Sequence, residues 1–330
     1  SSSWSGSSAG ATAQTELAVG YLAMTLAGLL LLRGDGARDR IRLVESLIVA
    51  GVAAAVAYGL AGKAGIISLP EAARAGGRLT EPLTYWNAVG AFAAIGLVIA
   101  ARIVVDRGRG NAGRMLGAAA IPLLGVAVGL TYSRAAIAAS AAGLLLVIGL
   151  ATDLAPRARR AAMVAAAVVI AMPFAVGVFS GGDAGRESFG ATAERLTQAG
   201  SNRSEYWQVA IEGFAERPVA GHGAGSFAGL WLAKREISET VRNAHSLPLE
   251  TAAELGLIGL MLLGLGGAGL ALAATRTRDR QQIAAAAGGL GAWLTTALVD
   301  WQWQVPAVTG LAAILAATLL ASERSPSRDE

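Results

Sequence analysis

The chain has 330 residues, of which 54% are hydrophobic and only 15% are charged, with a mean hydropathy of +0.52. A soluble domain of this size carries about 25% charged residues, so the composition indicates an integral membrane protein. The sequence contains no cysteine, which excludes disulfides and thiolate metal sites. Its formal charge of +4 is spread over short basic clusters between apolar runs, so nucleic acid is not expected as a partner.

Nine apolar segments predict transmembrane helices, because about 20 helical residues cross a hydrocarbon core of about 30 Å. In chain order they are roughly 15–32, 43–61, 85–105, 115–131, 135–152, 161–180, 252–274, 281–299 and 305–321. The predicted fold is therefore all-α and polytopic. Residues 1–180 form about six spans, 181–250 form a large extracytoplasmic loop domain, and 251–330 form about three spans and a cytoplasmic tail.

Arginine clusters occupy alternate connections between these spans. They lie in 33–42, 107–114, 157–160, 276–280 and the C-terminal tail. Lysine and arginine are enriched in cytoplasmic loops, which places these clusters in the cytoplasm. The N-terminus and the connections at 62–84, 132–134, 181–250 and 300–304 then face outward, on the side of the lipid bilayer opposite the cytoplasm.

The 181–250 connection is far longer than the others, and loops of this length are usually functional or disordered. Within it, a helical stretch is expected to place five apolar residues on one stripe: Tyr206, Trp207, Ala210, Ile211 and Phe214. Trp207 and Trp231 are expected to rest at the membrane interface. We predict a small helical cap over the outer membrane surface.

Several common motifs are missing. Lys63 and Lys234 are the only lysines, and neither lies in a G-x-x-x-x-G-K-[ST] loop, which disfavours ATP-driven transport by this chain. Neither a D-x-D pair nor an H-E-x-x-H zinc motif occurs. We expect a site that uses positive charge and a histidine, with no metal and no cofactor.

Two arginines are candidates for binding an anion. Arg134, in a predicted outer turn, is either an interfacial arginine that reaches water or a clamp for an anion at the outer leaflet. Arg203 is either solvated, stacked on Trp207, or a planar fork for a pyrophosphate. Arg217 and Arg242 are weaker candidates.

The remaining candidates lie near the predicted outer surface. Gly221-His222-Gly223-Ala224-Gly225 is either a tight turn or a nest that cradles phosphate. His245 is either a capping residue or a general base for a hydroxyl group, since its unperturbed pKa is near 6.5. Asp300 is either a solvated carboxylate or a partner that orients an arginine or the histidine.

These motifs resemble the signature of the O-antigen ligase and polymerase superfamily. The resemblance is carried by Arg203-x-x-x-Trp207, the segment from Arg217-Pro218 through Gly225-Ser226-Phe227, Ala244-His245-Ser246 and Glu254-Leu255-Gly256-Leu257-Ile258-Gly259. Arg78-Leu79, Tyr85-Trp86-Asn87 and Tyr132-Ser133-Arg134 agree with it, although Trp86 stands where the family usually has proline. Family members generally have about a dozen spans, so the resemblance implies that N-terminal spans are missing from this sequence.

The resemblance implies a GT-C-like, metal-independent, inverting transfer of a glycan from undecaprenyl pyrophosphate. The acceptor would be a glycan, glycolipid or other cell-wall polymer on the outer face of the membrane. Arg134 and Arg203 would hold the pyrophosphate, and His245 would position or deprotonate the acceptor hydroxyl. Substrate binding would fall to the remaining motif residues, namely Arg78, Asn87, Arg217, Gly221, His222, Gly223, Glu254 and Asp300.

Three other functions stay open. A polysaccharide polymerase shares the same motifs, and the histidine and glycine-rich segments resemble ligases more closely. A secondary transporter also has many spans and buried arginines, but its site lies near the bilayer midplane, whereas these polar residues cluster at one face. A structural scaffold would not need a cap rich in arginine, histidine and tryptophan.

Overall fold

The computed structural model describes residues 5–69, 77–151, 202–277 and 279–322. These residues form helices and turns without any strand. The helices are α1 (Ser8–Leu32), α2 (Ala37–Lys63), α3 (Trp86–Val105), α4 (Asn111–Leu130), α5 (Arg134–Leu150), α6 (Arg203–Glu216), α7 (Phe227–Lys234), α8 (Leu247–Arg276), α9 (Arg280–Ala297) and α10 (Pro306–Ala321), with a 3₁₀ turn at Gln302–Gln304.

The prediction of a helical, multi-pass membrane protein is confirmed. Five helices, α1 to α4 and α8, are long and apolar enough to cross a membrane, and α5 and α10 are shorter apolar helices. Each predicted span within the described ranges coincides with a helix. The predicted span at 161–180 and the first part of the loop domain lie outside the described residues, so the count of nine spans and the GT-C-like relationship stay predictions.

Helix α3 forms the centre of the bundle. Its Ile95 and Ile99 are fully buried and pack with apolar residues of α2, α4, α5, α9 and α10. Helices α5 and α9 approach each other closely at Gly143 and Gly288, where a Cβ atom on Gly143 would lie 2.7 Å from the Gly288 carbonyl oxygen. Small residues at such crossings are how membrane helices gain close van der Waals contact without a hydrophobic driving force.

Helices α6 and α7 form the described part of the cap and pack on the beginning of α8. Their shared core contains Tyr206, Val209, Ala210, Phe227, Trp231, Val241, Ala244 and Ala253. The predicted stripe was wrong at Ile211, which is 55% exposed, because the buried face of α6 follows Tyr206, Val209, Ala210 and Gly213 instead. Trp231 is fully buried in this core, so its predicted place at the membrane interface was also wrong.

Helix α8 is broken at Gly256, which has φ 61° and ψ −153°. The backbone groups freed by the break are satisfied by the segment 218–223 of the cap. The carbonyls of Ala253 and Glu254 accept hydrogen bonds from His222 and Gly223, and the N–H groups of Leu257 and Ile258 donate to Pro218 and Val219. The cap is therefore bonded directly to the backbone of a membrane helix, and these bonds satisfy polar groups that the break leaves without a helical partner.

The ends of the helices opposite the cap are joined by ion pairs. Arg38 contacts Asp279 at 2.9 Å, Arg42 contacts Asp106 at 3.7 Å, and Arg109 contacts Glu45. Apart from Glu45, which lies in the predicted span 43–61, these residues come from the connections predicted to be cytoplasmic, so those connections meet at one end of the bundle. The side of the membrane that this end faces stays a prediction.

Candidate active site

A cavity of about 760 Å³ lies at the capped end of the bundle, where α1, α3, α5, α8 and α10 begin. Four arginines line it: Arg78, Arg134, Arg203 and Arg242. Its other polar lining includes Asn87, Asn202, Glu239, Asn243 and His245, and its aromatic lining is Tyr85, Trp86, Tyr132, Tyr206 and Trp301. Five of the predicted site residues (Arg78, Asn87, Arg134, Arg203 and His245) are thus brought together, although they come from five separate parts of the chain.

Asp300 holds three residues of the cavity lining in place. Its carboxylate is completely buried and accepts hydrogen bonds from Tyr85 Oη at 2.8 Å, from Asn87 Nδ2 and from Arg203 Nη2 at 2.9 Å. Because Asp300 lies between α9 and α10, this contact ties the start of α6 to the membrane helices. Of the alternatives for Asp300, the geometry favours the partner that orients an arginine.

Burial and the negative charge of Asp300 shift the pKa of Tyr85 in the same direction. Burial is the larger cause, and together they raise the pKa of the Tyr85 hydroxyl well above its ordinary value of 10.0. Tyr85 therefore stays a neutral hydrogen-bond donor at physiological pH. Its ring stacks on Trp301 with centroids 4.8 Å apart, which gives the cavity an aromatic wall beside the arginines.

Arg78 and Arg134 are held at the beginnings of membrane helices. The Arg78 guanidinium lies 4.6 Å from the centroid of the Trp86 ring, a cation–π contact at the start of α3. Ser133 caps α5 by accepting a hydrogen bond from the N–H of Ala136, so Arg134 becomes the first residue of that helix. The cavity lies beside Arg134, in agreement with the anion-clamp alternative rather than with an arginine that only reaches bulk water.

His245 has a backbone φ of 53°, which is uncommon for a residue other than glycine. Such conformations are held by the surrounding structure and cluster at active sites and ligand-binding sites. Its Nδ1 lies 3.1 Å from the carbonyl oxygen of Asn243. A carbonyl can only accept, so Nδ1 carries the hydrogen and Nε2 keeps a free lone pair in the neutral ring. Burial is the largest effect on His245 and lowers its pKa below 6.5, which leaves the ring neutral at pH 7.

Glu250 holds the loop that carries His245, and it was not among the residues predicted for the site. Its carboxylate is 1% exposed and accepts hydrogen bonds from the Ala244 N–H at 2.7 Å, from Asn243 Nδ2 at 3.3 Å and from Gln304 Nε2 at 2.7 Å. The loop is thereby tied both to α8 and to the segment before α10. Its burial and its contact with Gln304, 54 residues away, distinguish Glu250 from an ordinary helical glutamate.

The glycine-rich segment lies beside the cavity, and its N–H groups bond to protein. His222 and Gly223 donate to carbonyls of α8, while Gly225 and Phe227 donate to the Glu254 carboxylate at 2.8 and 2.9 Å. His222 Nε2 is 3.0 Å from the Gly213 carbonyl oxygen. Gly221 has φ +64°, and a Cβ there would lie 2.3 Å from the Glu254 backbone. This geometry favours the tight turn over the phosphate nest.

Arg217 follows the last residue of α6, is exposed, and does not line the cavity. The substrate-binding roles predicted for Arg217, Gly221, His222, Gly223 and Glu254 stay predictions. The structure gives the glycines, His222 and Glu254 contacts that hold the cap on α8. Within the described ranges, no cluster of three or more histidine, aspartate or glutamate side chains is arranged to bind a metal ion.

The cavity carries an excess of positive charge. Four arginines line it, against Glu239 in the lining and Asp300 just behind it. Arg134 and Arg203 lie close enough for their charges to repel each other. Guanidinium groups held close together bind an anion with several negative charges, because each offers planar, permanently charged donors.

Part of the chain matches a known protein family. Residues 117–264 match the family model described as O-antigen ligase. The resemblance predicted from the motifs is confirmed. The matched segment runs from α4 to the middle of α8 and includes Arg134, Arg203 and His245. No curated protein matches the chain significantly.

Proposed function

We propose that the protein is an O-antigen ligase-like glycosyltransferase that moves a glycan from undecaprenyl pyrophosphate to an acceptor hydroxyl. The reaction takes place on the outer face of the bacterial cytoplasmic membrane, without a metal ion. The observation that carries the proposal is the meeting of Arg78, Arg134 and Arg203 with His245 in one cavity at the ends of the membrane helices. The O-antigen ligase match over 117–264 supports the same reaction class.

The position of the arginines suits a lipid-linked donor. Arg78 and Arg134 lie at the beginnings of α3 and α5, where a polyprenyl chain in the bilayer would present its pyrophosphate. Arg203 contributes from the cap, and Asp300 fixes its guanidinium at 2.9 Å. Side chains that are fixed before the substrate arrives need little reorganisation as charge develops, which is a large part of catalysis by electrostatic stabilisation.

In the proposed step, the oxygen of the acceptor hydroxyl attacks the anomeric carbon of the glycan from the face opposite the pyrophosphate. The new glycosidic C–O bond forms while the bond between the anomeric carbon and the phosphate oxygen breaks. His245 Nε2 receives the hydroxyl proton, for which its neutral tautomer leaves the lone pair free. The bonding electrons leave with undecaprenyl pyrophosphate, whose charge the arginines stabilise, and the configuration inverts.

The test is a transfer assay with the protein in liposomes. Undecaprenyl pyrophosphate carrying a short glycan is the donor, a chelator is present, and no nucleotide is added. Release of undecaprenyl pyrophosphate that depends on an added acceptor and is lost in Arg203→Ala and His245→Ala is expected. Absence of release from folded protein with every acceptor overturns the proposal and favours transport.

The product separates a ligase from a polymerase. A glycan joined to a different acceptor identifies a ligase, whereas elongation of a second lipid-linked glycan identifies a polymerase. A proteoliposome flux measurement of the same donor tests the transporter alternative. Its site would be expected near the bilayer midplane, and the arginines instead lie at the helix ends.

A further inference from the structure

Glu239 is a carboxylate in a cavity whose other charged lining residues are arginines. Its Oε2 accepts hydrogen bonds from Tyr206 Oη at 2.7 Å and from Asn202 Nδ2 at 2.9 Å. Its backbone carbonyl accepts from Trp231 Nε1 and Arg235 Nη1, both at 2.7 Å. Both the backbone and the carboxylate of Glu239 are therefore held in place. The other carboxylate oxygen, Oε1, accepts no hydrogen bond from the described residues.

The lining of the cavity divides into two walls of different charge. The membrane wall, formed by Arg78, Asn87 and Arg134 at the ends of α3 and α5, is positive. The cap wall, formed by residues 239–245, carries Glu239, the exposed Arg242 and the neutral His245, so the charges of this segment balance. The Arg203 guanidinium belongs with the membrane wall, because Asp300 binds both Arg203 and Asn87. Tyr206 links Glu239 to His245, because its hydroxyl donates to Glu239 Oε2 at 2.7 Å and its ring centroid lies 5.1 Å from that of His245.

A fixed carboxylate discriminates between ligands by charge. It repels phosphate and carboxylate groups, and it accepts hydrogen bonds from hydroxyl groups, which are the most numerous donors of a sugar. A donor pyrophosphate is therefore favoured on the membrane wall and disfavoured on the cap wall. The group beside His245 on the cap wall should be uncharged.

We propose that Glu239 and its neighbours on the cap wall form the acceptor subsite, and that this subsite takes an uncharged sugar ring with free hydroxyl groups. The inference rests on the proposed glycan transfer. Glu239 Oε1 accepts a hydrogen bond from one ring hydroxyl, which places a second hydroxyl beside His245 Nε2. Glu239 is a specificity-determining residue in this arrangement, and the proton of the reacting hydroxyl still goes to His245.

The experiment compares two synthetic acceptors that differ by one carboxylate, an alkyl glucoside and the matching alkyl glucuronide. Transfer from the undecaprenyl-pyrophosphate glycan is measured in liposomes for the wild type and Glu239→Gln. Glu236→Gln is the control, because Glu236 is exposed in the same loop and lies outside the cavity. Binding of undecaprenyl pyrophosphate itself and the thermal midpoint are measured for each variant.

The wild type is expected to use the glucoside at least about tenfold better than the glucuronide. Glu239→Gln should raise the KM for the glucoside about tenfold, the effect of one lost charge-assisted hydrogen bond, and should reduce the discrimination. Its kcat, thermal midpoint and affinity for undecaprenyl pyrophosphate should change little, and Glu236→Gln should behave as the wild type.

Equal use of both acceptors by the wild type, or the same discrimination in Glu239→Gln, overturns the subsite while leaving the transferase in place. A lower thermal midpoint together with weaker undecaprenyl pyrophosphate binding in Glu239→Gln shows a structural role and also overturns it. If no acceptor supports release and undecaprenyl pyrophosphate does not bind to the wild type, the proposed function itself fails. The two failures are therefore distinguishable.

Discussion

Arg203 donates a hydrogen bond to Asp300 at 2.9 Å across 97 residues of sequence, and this ion pair joins the cap to the membrane bundle. The two partners differ in burial, since the side chain of Asp300 is 1% exposed and that of Arg203 is 25% exposed. Arg203 can therefore face a substrate in the cavity while Asp300 holds it from behind. The pair links the stability of the cap to the geometry of the proposed site.

Replacing Asp300 by asparagine removes the charge and keeps the size of the side chain. We expect the free energy of unfolding to fall by about 1–3 kcal/mol, because a buried carboxylate network is lost while Arg203 remains partly solvated. The thermal midpoint in detergent and the kcat of glycan transfer should both fall. The control is Asp279→Asn, whose exposed pair with Arg38 at the opposite end should contribute less than about 1 kcal/mol. Equal effects of the two substitutions contradict this prediction.

The effect of the planar guanidinium geometry of Arg203 can be separated from the effect of its charge. Arg203→Lys keeps the positive charge and loses the planar fork, whereas Arg203→Ala loses both. We expect release of undecaprenyl pyrophosphate to fall about tenfold in the lysine variant and about a hundredfold or more in the alanine variant. Arg107→Ala, an exposed arginine outside the cavity, is the control. Full activity in Arg203→Ala rules out a role for Arg203 in holding the pyrophosphate.

The sequence predicted the membrane architecture and the grouping of the main site residues. Hydropathy predicted the helices because apolar length is a local property. The alternation of arginine clusters placed Arg134, Arg203, His245 and Asp300 at one end, and the structure brings all four to one cavity or its wall. The membrane restricts each connection to one of two ends, which is why so little information sufficed.

The parts that were missed depend on contacts between distant residues or on backbone angles. Glu239 and Glu250 look like ordinary loop and helix carboxylates until Tyr206 and Gln304 are placed beside them. The break at Gly256 lies inside the predicted span 252–274 and was not predicted, because hydropathy does not register a positive φ. The same reason left the glycine-rich segment open between a turn and a phosphate nest.

The pH dependence of transfer tests the role of His245. Burial lowers the pKa of His245 below 6.5, and the neutral ring is the form that accepts a proton. Activity should therefore be constant near pH 7 and fall on acidification, with a midpoint below 6.5. A pH profile of kcat/KM from pH 5 to 8 measures this, and His245→Gln should show a low rate without that acidic limb. A rate that rises as the pH falls, or an unchanged limb in His245→Gln, contradicts the general-base role.

The break in α8 should be intolerant of any side chain at Gly256. A Cβ there would lie 2.5 Å from the backbone carbon of Val219 and 2.7 Å from the carbonyl oxygen of Pro218, in addition to adopting φ +61°. We expect Gly256→Ala to destabilise the protein by about 3 kcal/mol, since strain and overpacking act together. The thermal midpoint in detergent should fall, and the cap should become sensitive to proteolysis because its bonds to Leu257 and Ile258 shift.

Gly264→Ala is the matched control in the same helix, where nothing lies within 4 Å of a new Cβ and alanine should be neutral or stabilising by about 0.5–1 kcal/mol. Similar midpoints for the two variants would show that the cap does not depend on the break.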